Sequence, residues 1–426
     1  MHTLVIVNPG HFHAGLILRR RHADISRDVY IFSEAGTDLD NYMKLVNSFN
    51  ERAEEPTDWI YHVYTGADFL AKAVAAAEAG TVDIAVFAGR NDEKIDYLAA
   101  MHKAGCAILT DKPVTINSEG AALLEKTVAA GGKPIVDIMT GRQEPSARML
   151  KDLMLSKEIF GEFRKGNEPM IENGTVHHLY KTVNGAPLVR PAWYFDVNKQ
   201  GSGLNDVTTH LIDNAQWMLF GEEEIDFARD VKLVDATLSS TAVPADKFEL
   251  ITKTPAFPAE LADRVKDNVL SVACNGVMEV ELKGVSVRLN TVWNLEAPAG
   301  GGDMHRQIAR GTKADIFVEQ GPDTGFKALV LVKPLDMSAE DMKKVIEKRL
   351  ADLNYTDAAV SIYKDGRLLV TPPSCMVDGH EFHFAIVRDE FLQMLATGKE
   401  PGGLRSQLVS KYKLMAMARD MALNKQ

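Results

Sequence analysis

Cysteine is almost absent from this chain of 426 residues. Its three copies, Cys106, Cys274 and Cys375, lie far apart and form no C-x-x-C pair. That excludes a disulfide framework and a cysteine-ligated zinc module. No run reaches about 18 uninterrupted apolar residues, so no membrane-spanning helix and no membrane partner are expected. Positive charge is in deficit, with 48 Lys and Arg against 59 Asp and Glu and a net charge of −11. A general binder of nucleic-acid backbones is thereby excluded, whereas a small anionic ligand is not. Internal repeats and low-complexity tracts are missing too. The basic run Arg19–Arg21 follows the apolar Leu4–Val7 instead of preceding it, the reverse of a secretory signal, so a cytoplasmic protein is the default expectation.

What is present is a globular composition, 46% hydrophobic and 25% charged, with length for two or three domains of about 100–200 residues each. Residues 1–140 alternate short apolar runs with helical segments. Strands are expected at 4–7, 29–32, 60–64, 84–88, 107–110 and 135–138, and helices at 14–21, 39–50, 68–79, 93–104 and 118–130. Continuous apolar strands separated by crossover helices indicate an α/β domain with a doubly wound parallel sheet. Farther on, segments 231–239, 269–273, 277–282 and 285–293 alternate apolar with polar residues, as half-exposed antiparallel strands do. Ser338 opens a helix with a capping-box pattern, and helices at 380–396 and 404–423 close the chain. The expected organisation is a cofactor-type α/β domain over 1–145 and an α+β domain over 146–426 with a large, mostly antiparallel sheet.

After the first strand comes Asn8-Pro9-Gly10-His11-Phe12-His13-Ala14-Gly15. A dinucleotide fold wants G-x-G-x-x-G here, because the diphosphate approaches bare backbone at a helix N-terminus. Gly10 keeps the central position, while Asn8 and His13 replace the outer glycines. An ordinary βα turn that needs one glycine would read the same. Glu34, 19 residues after Gly15, stands where a carboxylate would accept hydrogen bonds from a ribose diol and disfavour the 2′-phosphate of NADP.

Asp111-Lys112-Pro113 puts a lysine at the C-terminal end of a strand, where α/β sheets present ligands. Asp206, His210 and Asp213 recur at i, i+4 and i+7, one face of a helix, and histidine beside a carboxylate suits proton transfer near neutral pH. An N-cap aspartate and a hydrogen-bonded core histidine would share that spacing.

Together these elements resemble the Gfo/Idh/MocA oxidoreductases, the family of glucose–fructose oxidoreductase and inositol dehydrogenase. Asp111-Lys112-Pro113 resembles their E-K-P. Asp206 to Asp213 resembles their D-x-G-x-H-x-x-D, with Thr208 for the glycine. Ala88-Gly89-Arg90-Asn91 resembles A-T-P-N, and Arg142 to Pro145 resembles R-x-x-P. The runs 293–298 and 310–313 resemble the branch with its own oxidoreductase C-terminal domain. The resemblance implies a Rossmann domain, NAD(H) in preference to NADP(H), and a polyhydroxylated small-molecule substrate such as a sugar or cyclitol. It places the catalytic roles on Lys112, Asp206 and His210. The residues expected at the cofactor are Asn8, Gly10, His11, Phe12, His13, Glu34, Gly89, Asn91, Asp111 and Lys112.

For the substrate, the expected contacts are Arg142, the pair His177-His178, Arg190 with Trp193, and Asp303 with His305 after a glycine loop. The aromatic stretch 193–195 equally suits a core. No H-x-x-x-H or H-E-x-x-H spacing occurs, so no metal ion is expected. Two alternatives stay open: redox-neutral cleavage of glycosides through a transient 3-keto sugar, and a non-catalytic dinucleotide-binding regulator. A homodimer or homotetramer is expected.

Overall fold

The computed structural model describes residues 1–183, 186–376 and 379–425. The N-terminal part alternates β1 (His2–Val7), α1 (His13–Leu16), β2 (Ile25–Ser33), α2 (Thr37–Glu51), β3 (Ile60–Thr65), α3 (Phe69–Glu78), β4 (Ile84–Phe87), α4 (Lys94–Lys103), β5 (Ala107–Thr110), α5 (Ser118–Ala129) and β6 (Ile135–Asp137). The six strands pair in parallel in the order β3-β2-β1-β4-β5-β6. The order reverses between β1 and β4, and ligands of such sheets bind at the strand ends flanking that point.

The remainder holds α6 (Pro145–Met154), β7 (Ile171–Tyr180), the hairpin β8 (Thr182–Val183) and β9 (Ala186–Pro187), α7 (Thr208–Phe220), α8 (Phe227–Asp230), β10 (Val231–Pro244), α9 (Ala245–Thr252), β11 (Val265–Lys266), β12 (Val269–Leu282), β13 (Val285–Glu296), β14 (Met304–Arg310), β15 (Ala314–Gln320), β16 (Leu329–Pro334), α10 (Ala339–Asp352), β17 (Ala359–Ile362), β18 (Leu368–Thr371), α11 (His380–Thr397) and α12 (Leu404–Leu423). Among the described residues β8 and β9 pair with each other, and the other ten strands build one sheet in the order β10-β12-β13-β7-β14-β15-β16-β18-β17, with β11 on β12. Only β7 and β13 run parallel; the other pairs are antiparallel. Among the described residues no helix is long and apolar enough to cross a membrane.

Two expectations need correction. The helix expected over 14–21 stops at Leu16. The carbonyls that would extend it are taken from outside: Leu18 O accepts from Trp59 Nε1, Arg19 O from Arg52 Nη2, and Ile17 O and Arg20 O from the buried Arg388 on α11. Helix α11 then covers the sheet face that a full α1 would shield, packing Phe384, Val387 and Phe391 into a core with Leu4, Ile6, Ile31 and Leu109. The break expected after residue 273 is also absent, because β12 runs unbroken through Gly276. There the strand crosses the segment before α7. Gly203 N donates to Ala273 O at 3.0 Å, and a Cβ on Gly276 would lie 2.8 Å from the Gly203 backbone. The two glycines therefore serve a backbone-on-backbone crossing.

Candidate active site

Lys112 follows β5, and Asp206 sits in the turn that leads into α7. Lys112 Nζ donates to Asp206 Oδ1 at 2.7 Å, with both side chains about nine-tenths buried. Tyr194 OH donates to the other carboxylate oxygen at 3.2 Å. Burial alone would raise the Asp206 pKa, but the Lys112 charge and hydrogen bond, with His177 behind them, lower it to about 2. Burial likewise pushes Lys112 down, and Asp206 and Asp111 more than reverse this, so its pKa ends raised. Burial first, then Asp206, holds Tyr194 well above the ordinary phenol range. The result is a charged Lys112–Asp206 pair with a neutral phenol.

Beside Tyr194 lies a group that includes His177 and Trp293 of the neighbouring strands β7 and β13. Arg190 donates to the carbonyls of Leu179 and His178, and its guanidinium lies 4.6 Å from the Tyr194 ring and 5.1 Å from the Trp293 ring. Ring centroids of His177 and Trp293 are 4.9 Å apart. Asp303 pairs with His177 Nδ1 at 2.9 Å and with Lys181 Nζ at 2.5 Å. Burial would raise the Asp303 pKa, but His177 and Lys181 hold it below the usual carboxylate range. Close packing, then the positive field of His177, lowers His305 to about 4.

At the switch point a narrow cleft is lined by residues including Asn8, Gly89, Arg90, Lys94 and Tyr97. Asn8 adopts a left-handed conformation, φ 45°, and its Oδ1 accepts from Ser33 Oγ and the Glu34 amide. This ties the first turn to the end of β2, where Glu34 is exposed. A Cβ on Gly89 would fall 2.6 Å from Asn8 O, and one on Gly10 would fall 3.3 Å from Asp38 Oδ2. The Gly10 and His11 amides donate to Ala88 O instead of pointing into the cleft. Asn91 is buried, donating to Gln200 O and accepting from Lys94 Nζ. His11 and His13 converge on Asp111, while Phe12 between them is exposed.

Residues 149–423 match the family model described as "Putative oxidoreductase C terminal domain". The whole chain is similar to a "putative oxidoreductase" from Parabacteroides merdae, at 36% identity and TM-score 0.95, covering 100% of this chain and 98% of that one. The chain belongs to this oxidoreductase family, of the Gfo/Idh/MocA type. A second solved structure, from Thermotoga maritima, shares 14% identity at TM-score 0.60, covering 100% of this chain and 98% of that one. KijD10, a 3-ketoreductase from Actinomadura kijaniata in complex with NADP and TDP-benzene, shares 13% at TM-score 0.59, covering 99% and 97%. At such identities the likeness is one of fold. No curated protein matches.

In this Gfo/Idh/MocA-type oxidoreductase the three residues of the expected helical face go different ways. Asp206 joins Lys112. Asp213 is buried under a two-pronged contact from Arg142, at 2.7 Å through both Nε and Nη2, and a third from Lys411. Arg142 is thus committed to a structural ion pair. His210 lies half-buried beside Gly141. Trp193 donates to Asp38 on α2, and His178 is buried. Sequence reasoning passed over Tyr194, Lys181 and Lys94 as polar site residues. Tyr194 could have been found from its place beside Arg190; nothing local marks the other two.

Proposed function

We propose that this oxidoreductase transfers a hydride between a nicotinamide dinucleotide, NAD in preference to NADP, and the carbon of a secondary hydroxyl in a sugar, cyclitol or related polyol. The observation that carries the reading is the buried Lys112–Asp206 pair at the strand-end crevice, capped by Tyr194. Residues 1–145 would hold the cofactor and residues 146–426 the substrate. The crevice suits a dinucleotide on three counts: the strand order, the close Gly10–Gly89 approach, and Glu34 free at the end of β2 for a ribose diol. Glu34 supports NAD. The NADP of the 3-ketoreductase KijD10 makes both dinucleotides worth testing.

When bound, the nicotinamide supplies the hydride acceptor. Lys112 hydrogen-bonds the substrate oxygen and stabilises negative charge as it develops there. Asp206 and Tyr194 fix the ammonium, and His210 takes the hydroxyl proton. Arg190, Trp293 and His177 form a wall suited to a sugar ring. Assembly as a homodimer or homotetramer belongs to the same reading. The test is absorbance of NADH or NADPH during incubation with a panel of sugars and cyclitols. Accumulation that disappears in Lys112→Met supports the reading, and no change with either cofactor overturns it.

One observation favours redox-neutral glycoside cleavage as a second reading. The His177–Asp303–Lys181 cluster adds an acid–base group besides Lys112 and His210. Release of nitrophenol from aryl glycosides without net NADH would select it.

A further inference from the structure

Strands β1 and β5 bring together three of the residues expected at the cofactor, in an arrangement to which the hydride-transfer reading gives no chemical step. His11 and His13 flank Phe12 just after β1, and Asp111 follows β5, 98 residues after His13. Both Nδ1 atoms face the same carboxylate oxygen. His13 Nδ1 is 3.0 Å from Asp111 Oδ2 and His11 Nδ1 is 3.4 Å from it. One ligand atom from each residue falls within 4.8 Å of the other two. A tetrahedral ion with bonds of about 2.0–2.1 Å to nitrogen and oxygen needs neighbouring donors about 3.3 Å apart. The two nitrogen–carboxylate separations, 3.0 and 3.4 Å, lie on either side of that edge, and the two imidazole donors lie within 4.8 Å of each other.

The donors are also held from behind, as metal ligands need to be. The Asp111 amide donates to Phe87 O at 2.6 Å, and its carbonyl accepts from Lys94 Nζ at 2.9 Å. The His13 ring packs 4.7 Å from Phe384 of α11 and 4.4 Å from Phe12. Asp111 and His13 are buried, whereas the His11 side chain is 28% exposed. The exposed part is the ring edge: the His11 Nδ1 atom itself is buried and has no hydrogen-bond partner, as an unfilled ligand position would leave it.

We infer that His11, His13 and Asp111 form a binding site for one divalent first-row transition-metal ion, of the zinc, iron or manganese class, at the mouth of the strand-end crevice. Two imidazoles and one carboxylate are the donor set these ions favour over calcium or magnesium. An ion there also supplies positive charge where the fold has little. Helix α1 has only four residues, and the turn amides are spent on Ala88 O. The N-terminus that usually faces an anionic ligand at this point is therefore missing.

The test uses the full chain, stripped with chelator and supplied with zinc alone, with no dinucleotide or sugar present. Elemental analysis after desalting should find one zinc per chain. Calorimetric titration should show that Asp111→Asn and His13→Gln weaken zinc by more than about 100-fold, beyond the roughly 10–100-fold typical of outer-shell partners. His11→Ala, at the exposed edge, keeps the test decisive if a buried variant fails to fold, and should also weaken zinc. His62→Ala, far off on β3, should leave it unchanged. Cobalt should give the visible bands of a low-symmetry site in the wild type only. Wild-type stoichiometry well below one, or equal affinity in wild type and His11→Ala, overturns the inference. Because zinc is read alone, neither result bears on hydride transfer.

Discussion

Replacing Lys112 with Met should destabilise the protein through Asp206. In the wild type the carboxylate is 7% exposed, and burial alone would push its pKa up, yet it lies at about 2 against an ordinary 3.8. That fall corresponds to roughly 2 kcal/mol of preference for the charged form. The attraction also has to overcome the burial that opposes it, and Lys112 supplies the largest share with His177 and Tyr194 adding to it, so the coupling between Lys112 and Asp206 should be of this order. Lys112→Met leaves the charge buried beside a phenol, and removing one partner of a buried pair costs about 3–5 kcal/mol. Asp206→Asn should be costly in turn, and the double variant should cost less than the two single changes together. Urea unfolding of all four proteins at pH 7 measures the coupling. The wild-type contribution is fully present above pH 3.8 and fades as pH falls through about 2. In Lys112→Met only His177 and Tyr194 are left to oppose the burial, so the Asp206 pKa rises from its wild-type position and the deficit should shrink between pH 7 and pH 4. A coupling below about 0.5 kcal/mol, or a deficit that does not change with pH, would refute the reasoning.

Other outcomes follow from the same structure. Arg388→Ala should cost about 1.5–3 kcal/mol for its charged hydrogen bonds to Ile17 O and Arg20 O, with faster hydrogen exchange over 16–21; normal exchange there would show that α1 ends for another reason. Gly276→Ala should destabilise by about 1–3 kcal/mol through the Gly203 crossing, visible as a lower melting temperature. Lys94, fully buried, has its pKa lowered by burial to about 8. The unfolded chain then binds more protons between pH 8 and the ordinary 10.5, so stability should rise over that interval in wild type relative to Lys94→Met. Tyr194→Phe should slow turnover and leave the fold intact, read as kcat against the urea midpoint.

The parallel sheet was legible because its strands are continuous apolar runs between crossover helices. Helix α12 runs over Leu404–Leu423 as its pattern indicated, and Ser338 caps α10 through its hydroxyl. The length of α1 was not legible, since its carbonyls are claimed by Arg52, Trp59 and Arg388. The last of these lies more than 350 residues away. The same holds at the site. Lys112 and Asp206 carry recognisable motifs, but Tyr194 reaches Asp206 only through the turn before α7. The two histidines meet Asp111 only because β1 and β5 both end at the crevice. Local spacing sees neither meeting.

Deuterium transfer tests the central claim most directly. The protein is incubated with NADH or NADPH carrying deuterium at both nicotinamide C4 positions and a panel of keto sugars and keto cyclitols, and the products are weighed by mass spectrometry. Hydride transfer predicts an alcohol one deuterium heavier, formed at least about 100-fold more slowly by Lys112→Met, the loss expected when one preorganised donor is removed. Unlabelled products, or no product with either cofactor, would contradict it.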